Sequence, residues 1–297
     1  MNSDLLGRTL ALLSAFLWAA GVIFFKRAGK TFPPLTLNLF KTAAAALLLL
    51  PMFFVFCIPL VPGGLAGKDW LIAIASGVMG ITVADSLFFV CLNRVGAGLA
   101  AIAECLYSPF VMLFSWLVLA EAIRLQAIVG AGLVISGVFA ATWNGKRGAV
   151  SQRDLVLGMC AGAGAMLVMG LSIVLMKPLM DHASILWITE IRALAAAFGL
   201  LLLQLGSRQS RTHFSLLLKP RLWGDALPGT IFGSVLSMTA WVAAFSLTDV
   251  TSAAILNQTN TIIIVVLASV WLKEPFTRHR LLATLLAVSG SVLVLLP

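Results

Sequence analysis

SPFVMLFSWLVLAEAIRLQAIVGAGLVISGV, residues 108–138, consists of two apolar runs joined by one short charged turn, AEAIR. The plan returns 153 positions later in TIIIVVLASVWLKEPFTRHRLLATLLAVSGS, residues 261–291. Glu121 falls on Glu274, and Ser136-Gly137 falls on Ser289-Gly290. The register extends backwards without a gap, so that residues 70–138 lie on 223–291. Trp70 then meets Trp223, Gly80 meets Gly233, and AAI at 100–102 meets AAI at 253–255. A shift of 151 pairs Lys26 with Lys177 and Lys41 with Arg192, and the two-residue difference is absorbed in loops 57–69 and 206–222. Leucines and alanines match by chance in oily sequence, so the weight rests on the tryptophans, glycines and charges. The chain is a duplication.

Its composition defines the solvent. Of 297 residues, 61% are hydrophobic and 10% charged, with a mean hydropathy of +1.05. Soluble domains carry about 25% charged residues. So few charges cannot cover a water-exposed surface of this size, which excludes a soluble enzyme, a disordered chain and a nucleic-acid-binding domain. The net charge of +9 comes from short basic caps between apolar runs. A membrane span needs about 20 apolar residues, and ten stretches qualify: 9–28, 35–56, 70–92, 97–119, 125–143, 155–176, 184–205, 223–247, 250–271 and 280–296. The opening MNSDLLGRTLALLSAFLWAAG reads as the first of them rather than as a cleavable signal. Runs such as AAAALLLL (43–50) do not alternate, against a membrane β-barrel. The fold class is all-α integral membrane, ten transmembrane helices in two five-helix repeats, 1–148 and 149–297.

Five spans per repeat is an odd number, so the second repeat enters the bilayer from the opposite side. Inverted repeats are the architecture of secondary transporters, with the binding site near the midplane where the halves meet. Two related halves of opposite orientation can exchange conformations and open that site to either face.

The repeats resemble the EamA type of the drug/metabolite transporter superfamily. The matching features are LLSAFLWAAGVIFFKRAG (12–29), Lys41 early in span 2, residues 108–138, and LASVWLKEPFTRHRLLATLLAVSGSVLVL (267–295). The resemblance implies ten helices, no cofactor, and transport of a small metabolite, often export. It covers nearly the whole chain and leaves the substrate open. One departure stands out: span 4 has Pro109, whereas span 9 has Ile262 at that point, after the polar run NQTNT (257–261).

A charge in hydrocarbon costs at least about 2.5–3.5 kcal/mol on insertion scales, so Lys41, Asp85, Glu104, Glu190 and Arg192 each need a partner, water or a neutral form. At about 1.5 Å per residue, Asp85 and Glu104 lie at the same depth, roughly 10 Å in, and Lys41 enters from the same side. The expectation is a cavity lined by all three; the plain alternative has Lys41 snorkelling and the carboxylates capping helix ends. Burial disfavours a charged carboxylate, which makes Asp85 and Glu104 the proton-coupling candidates. Under the repeat, Glu104 falls on Asn257 and Tyr107 on Asn260, giving spans 4 and 9 one polar face each. Asn257 and Asn260 either contact ligand or join helices. Arg192 either binds an anionic group or pairs with a carboxylate of another helix. Trp18, Phe88 and Trp241 either pack or form an aromatic wall, and Asn38 is grouped with them as a substrate contact. Trp70, Trp143 and Trp223, near span ends, read as interfacial anchors. Glu121 and Glu274 read as structural caps for the starts of spans 5 and 10.

Cys57, Cys91, Cys105 and Cys160 show no metal-ligand spacing, His182, His213 and His279 are dispersed in loops, and neither a GxxxxGK[ST] nor an HExxH motif occurs. A lipid-modifying enzyme is therefore disfavoured, no ATPase motif supplies energy, and a gradient must drive transport. The expected substrate is a small organic metabolite, an amino acid or similar amphiphile; the alternative is a lipid or lipid-linked-sugar flippase of the same fold. The expected partners are that substrate, membrane lipid and protons, with no nucleic acid and no cofactor, as a monomer or homodimer in the cell inner membrane. Orientation divides the signals. Fourteen Lys and Arg residues flank the odd-to-even turns (1–2, 3–4, 5–6, 7–8, 9–10) and four flank the other side. The positive-inside rule then puts both termini outside, whereas the resemblance implies termini inside; the charge count is preferred.

Overall fold

The computed structural model describes residues 3–55, 57–59, 62–143, 150–181, 183–248 and 250–296. Among the described residues ten helices are long and apolar enough to cross a membrane: α1 Ser3–Ala28, α2 Pro34–Val55, α3 Gly67–Val95, α4 Ala97–Leu119, α5 Leu125–Thr142, α6 Gln152–Met180, α7 Ile185–Leu205, α8 Pro220–Ala244, α9 Ser252–Trp271 and α10 Arg278–Leu295. They follow the ten predicted spans within a few residues, and the chain is a multi-pass integral membrane protein. The boundary between the repeats at 148/149, with Lys146 and Arg147, lies outside the described residues, as do His182 and the side chain of Trp143.

Helix starts are set by local chemistry. Ser151 Oγ accepts from Asp154 N at 3.0 Å at the head of α6, and Thr277 Oγ1 accepts from Arg280 N at 3.2 Å at the head of α10. These side chains satisfy amides that have no partner within the helix. Gly96, with φ +91°, forms the whole elbow between α3 and α4, a conformation that suits glycine.

The inversion is visible in reciprocal packing. Gly7 at the start of α1 lies against Thr248 beyond the end of α8, and its repeat counterpart Gly158 at the start of α6 lies against Val95 at the end of α3. Ser14 and Ser237 exchange hydroxyl-to-carbonyl bonds at 2.9 and 3.1 Å between α1 and α8, while Ser172 donates to Ser76 O at 2.8 Å between α6 and α3. Helices α5 and α10 pair with each other. A Cβ on Gly290 would sit 2.6 Å from Gly130 O, and one on Gly130 would sit 2.7 Å from Gly290 O. With no hydrophobic driving force between helices in lipid, such close backbone approach is what holds them.

Two irregularities recur in both repeats. Val78–Asp85 in α3 and Thr230–Leu236 in α8 are wound as π-helix. Helix α4 turns at Cys105-Leu106 and α9 turns at Gln258, the repeat counterpart of Cys105. Proline accounts for the first turn: Pro109 offers no N–H to Cys105 O, and Ser291 Oγ of α10 donates to that carbonyl at 3.3 Å. The second turn forms without a proline, so the sequence divergence at Ile262 is not a divergence in shape.

Candidate functional site

Between the repeats lies a cavity of about 1160 Å³. All ten helices contribute to its wall, α5 and α10 only through Ala127, Val294 and Leu295, and its mouth is ringed by Glu121, Arg124, Lys177 and Leu296. These mark the face that carries both termini, here called the terminal face. Towards the opposite, basic face the molecule is filled by buried apolar side chains, among them Phe25, Phe89, Leu92, Val95 and Ala97 to Ala103 apart from the glycine at 98. Phe25 meets Phe89 edge-on at 5.2 Å.

The π-turn of α3 builds the floor's polar corner. Widening a helix to π geometry shifts its bonds from i→i+4 to i→i+5 and leaves carbonyls without their usual donors, and Asn38 Nδ2 donates to Ile81 O at 2.7 Å and to Ser86 Oγ at 2.9 Å. Asn38 is fully buried and not part of the cavity wall. Its expected role as a substrate contact is thus corrected: its amide is consumed in holding the π-turn that presents Asp85. Asp85, the last residue of that turn, forms an ion pair with Lys41. Lys41 does not snorkel; its Nζ also lies 5.6 Å from the centre of the Phe89 ring, a cation–π distance.

Glu104 faces the same cavity from α4. Its Oε1 accepts from Trp18 Nε1 at 3.0 Å, and its buried Oε2 has no partner among the described residues. Trp18 in turn stacks on Phe88 at 6.4 Å. The structure therefore brings Trp18, Lys41, Asp85, Phe88, Glu104, Tyr107, Arg192, Trp241, Asn257 and Asn260 onto one cavity. Asn257 Oδ1 is buried without a partner among the described residues, while Asn260 Oδ1 accepts from Thr261 Oγ1 at 3.1 Å.

Arg192 settles one alternative left by its sequence. It is 8% exposed, and Nη1 donates to Met176 Sδ at 2.9 Å and Nη2 lies 3.4 Å from Ser172 Oγ. Both groups are neutral, and among the described residues Arg192 forms no ion pair. Glu190, two residues earlier, is buried, away from the cavity wall, with both carboxylate oxygens unpartnered among the described residues.

Several wall residues escaped the sequence reading. Met166, Met169, Ile173 and Lys177 line the cavity from α6, with Met112 and Met238 opposite. Their spacing of three and four marks one helix face, but nothing in an apolar helix says which face looks inward. Gln258 also lines the cavity, and its Nε2 donates to Ser108 Oγ at 3.3 Å, joining the two broken helices.

The recurring glutamates are a second correction. Glu274 does not cap α10, whose start belongs to Thr277. Its Oε1 accepts from Ala97 N at 2.7 Å and its Oε2 from Gly98 N at 3.1 Å, at the head of α4, in the other repeat. Glu121 does not cap α5; it pairs with Lys177 at 2.5 Å across the mouth. Trp223, near the start of α8, donates from Nε1 to Leu217 O at 3.0 Å, and Trp70 packs edge-on against Trp187 at 4.8 Å.

Comparison with known proteins gives three findings. Residues 5–143 and 156–296 each match the model of the EamA-like transporter family. The chain is 27% identical over 292 residues to the uncharacterized transporter YvbV of Bacillus subtilis (strain 168), covering 96% of this chain and 90% of that one. It also superposes on the crystal structure of a protein at TM-score 0.69 and 14% identity, covering 99% of this chain and 96% of the other, a likeness of fold.

Proposed function

Because the chain belongs to the EamA-like transporter family, we propose that it is a gradient-driven carrier that exports a small zwitterionic metabolite such as an amino acid across the inner membrane, by alternating access of its two inverted repeats. The observation that carries the reading is the charge balance of the cavity. Lys41 is neutralised by Asp85. Among the described residues that leaves a buried guanidinium bound to neutral groups alone and a carboxyl group with one unpartnered oxygen. A buried charge is costly until it is paired, so the two together favour a ligand that brings a carboxylate to Arg192 and an ammonium to Glu104. Trp18, Phe88 and Trp241 offer apolar faces to the remainder of such a molecule. Of the two proton-coupling candidates, Glu104 is the better placed, because Asp85 is already committed to Lys41. Three charged side chains at the mouth favour entry of a water-soluble substrate over a lipid, against the flippase alternative.

The test is a thermal-shift screen of amino acids on the purified protein, followed by counterflow in liposomes. The expected result is exchange of at least one amino acid that is lost in Glu104→Gln and in Arg192→Gln, with both variants still folded. Counterflow that persists in both variants, or no amino acid exchanged by the wild type, overturns the proposal.

A further inference from the structure

At the basic face one cation and one anion hold the elbow where α3 ends and α4 begins. Lys26, in the last turn of α1, donates from Nζ to Leu92 O at 2.7 Å and Asn93 O at 2.9 Å. Glu274 accepts from the first amides of α4 and is steadied by Arg280 Nη1 at 3.3 Å. The signs suit the ends they occupy: a cation at a helix C-terminus and an anion at a helix N-terminus. A charged acceptor on backbone amides is among the stronger hydrogen bonds, and the Glu274–Arg280 side chains are only 14% and 15% exposed. This face is sealed.

The duplication supplies the same cation, anion and elbow on the terminal face. Lys26 corresponds to Lys177, Glu274 to Glu121, and the elbow around Gly96 to the segment between α8 and α9. There the cation and the anion are bonded to each other, half exposed (54% and 46%), and both line the open mouth. One pair is divided over the two ends of an elbow where the molecule is closed; its twin is joined where the molecule is open.

We propose that Lys26 with Glu274 and Lys177 with Glu121 are two copies of one ionic latch whose partners exchange during transport. The inference rests on the alternating-access reading above and goes beyond it in naming the positioning residues. Closing the terminal mouth separates Lys177 from Glu121, the lysine moving onto the last carbonyls of α8 and the glutamate onto the first amides of α9. Opening the basic face releases Lys26 and Glu274 from the α3–α4 elbow to pair with each other. The two states differ in what each glutamate contributes. An exposed ion pair contributes little, whereas the elbow-bound form is part-buried and charge-assisted. Each glutamate therefore stabilises the state in which its own face is closed. The copies are not equal: Arg280, which steadies Glu274, falls on Ala127 in the first repeat, so Glu121 would hold the α9 amides without that support. That inequality favours the state observed, open on the terminal face.

The test uses two reporter cysteines in a chain whose four native cysteines are replaced. Val111 lines the present cavity, and its repeat counterpart Ile264 is fully buried beneath it. In proteoliposomes of defined orientation, Val111→Cys is labelled by a membrane-impermeant maleimide from the terminal face, and Ile264→Cys from the basic face. Glu274→Gln is expected to slow labelling at Val111→Cys and speed it at Ile264→Cys, by about ten-fold, the size of one charge-assisted bond. Glu121→Gln, at an exposed position that folding does not depend on, is expected to shift the two reporters in the opposite direction. Shifts in the same direction, or no shift in Glu121→Gln, overturn the latch. Wild-type counterflow, measured alongside, separates the two readings: exchange with unmoved reporters removes the latch alone, whereas no exchange removes the carrier.

Discussion

Asp85 and Lys41 show what the low-dielectric interior does to single residues. Each alone is an uncompensated charge inside a helix bundle; paired, they hold α2 to the π-turn of α3. Removing one partner of a buried pair costs about 3–5 kcal/mol, whereas replacing both with neutral groups of similar shape is often tolerated. Lys41→Met and Asp85→Asn are each expected to lower the thermal unfolding midpoint strongly, and the double variant to recover most of the loss, as measured on the detergent-solubilised protein. Losses that simply add in the double variant would show that the pair is not a unit. The residue depths were legible in the sequence, since counting along a helix at a fixed rise gives depth. The partners were not: Asn38 stands three residues before Lys41 on the same helix, yet only the π-turn, formed by another helix, decides that its amide faces carbonyls rather than ligand.

At the scale of elements, the repeated Ser-Gly at 136–137 and 289–290 was visible as a match and unexplained as chemistry. The structure gives the reason at Gly290, which lets α10 approach α5 until a Cβ would touch the Gly130 carbonyl oxygen at 2.6 Å. Overpacking of that kind costs about 1–3 kcal/mol. Gly290→Leu is accordingly expected to destabilise the fold by that order in thermal unfolding, while Gly132→Leu, which meets nothing within 4 Å, is expected to be neutral. The broken helices teach the opposite lesson. Pro109 advertises the turn in α4, but α9 turns at the corresponding Gln258 with no proline at all. A break shaped by packing leaves no local mark.

The whole molecule is an inverted pair of bundles with one mouth open. The loop charges predict which face that mouth meets: by sequence, fourteen basic residues belong to the turns of the sealed side and four to those of the open side. The positive-inside rule places the sealed side in the cytoplasm. A C-terminal alkaline phosphatase fusion is therefore expected to be active and a C-terminal green fluorescent protein fusion dark; the reverse pattern would invert the orientation and turn the observed state inward.

Hydrophobicity, span count and internal repetition were the sequence's own contribution. Membrane insertion is governed by local composition, and an odd number of spans per repeat inverts the second copy by parity alone. The polar stripes of spans 4 and 9 marked their inward faces, but the partners across helices had to wait for tertiary structure: that Glu274 reaches α4 rather than α10, that Glu121 meets Lys177, and that Arg192 forms no ion pair among the described residues. Where a helix in oil is apolar on every side, its sequence carries no pattern to say which side faces a neighbour, and only packing against the other repeat decides it.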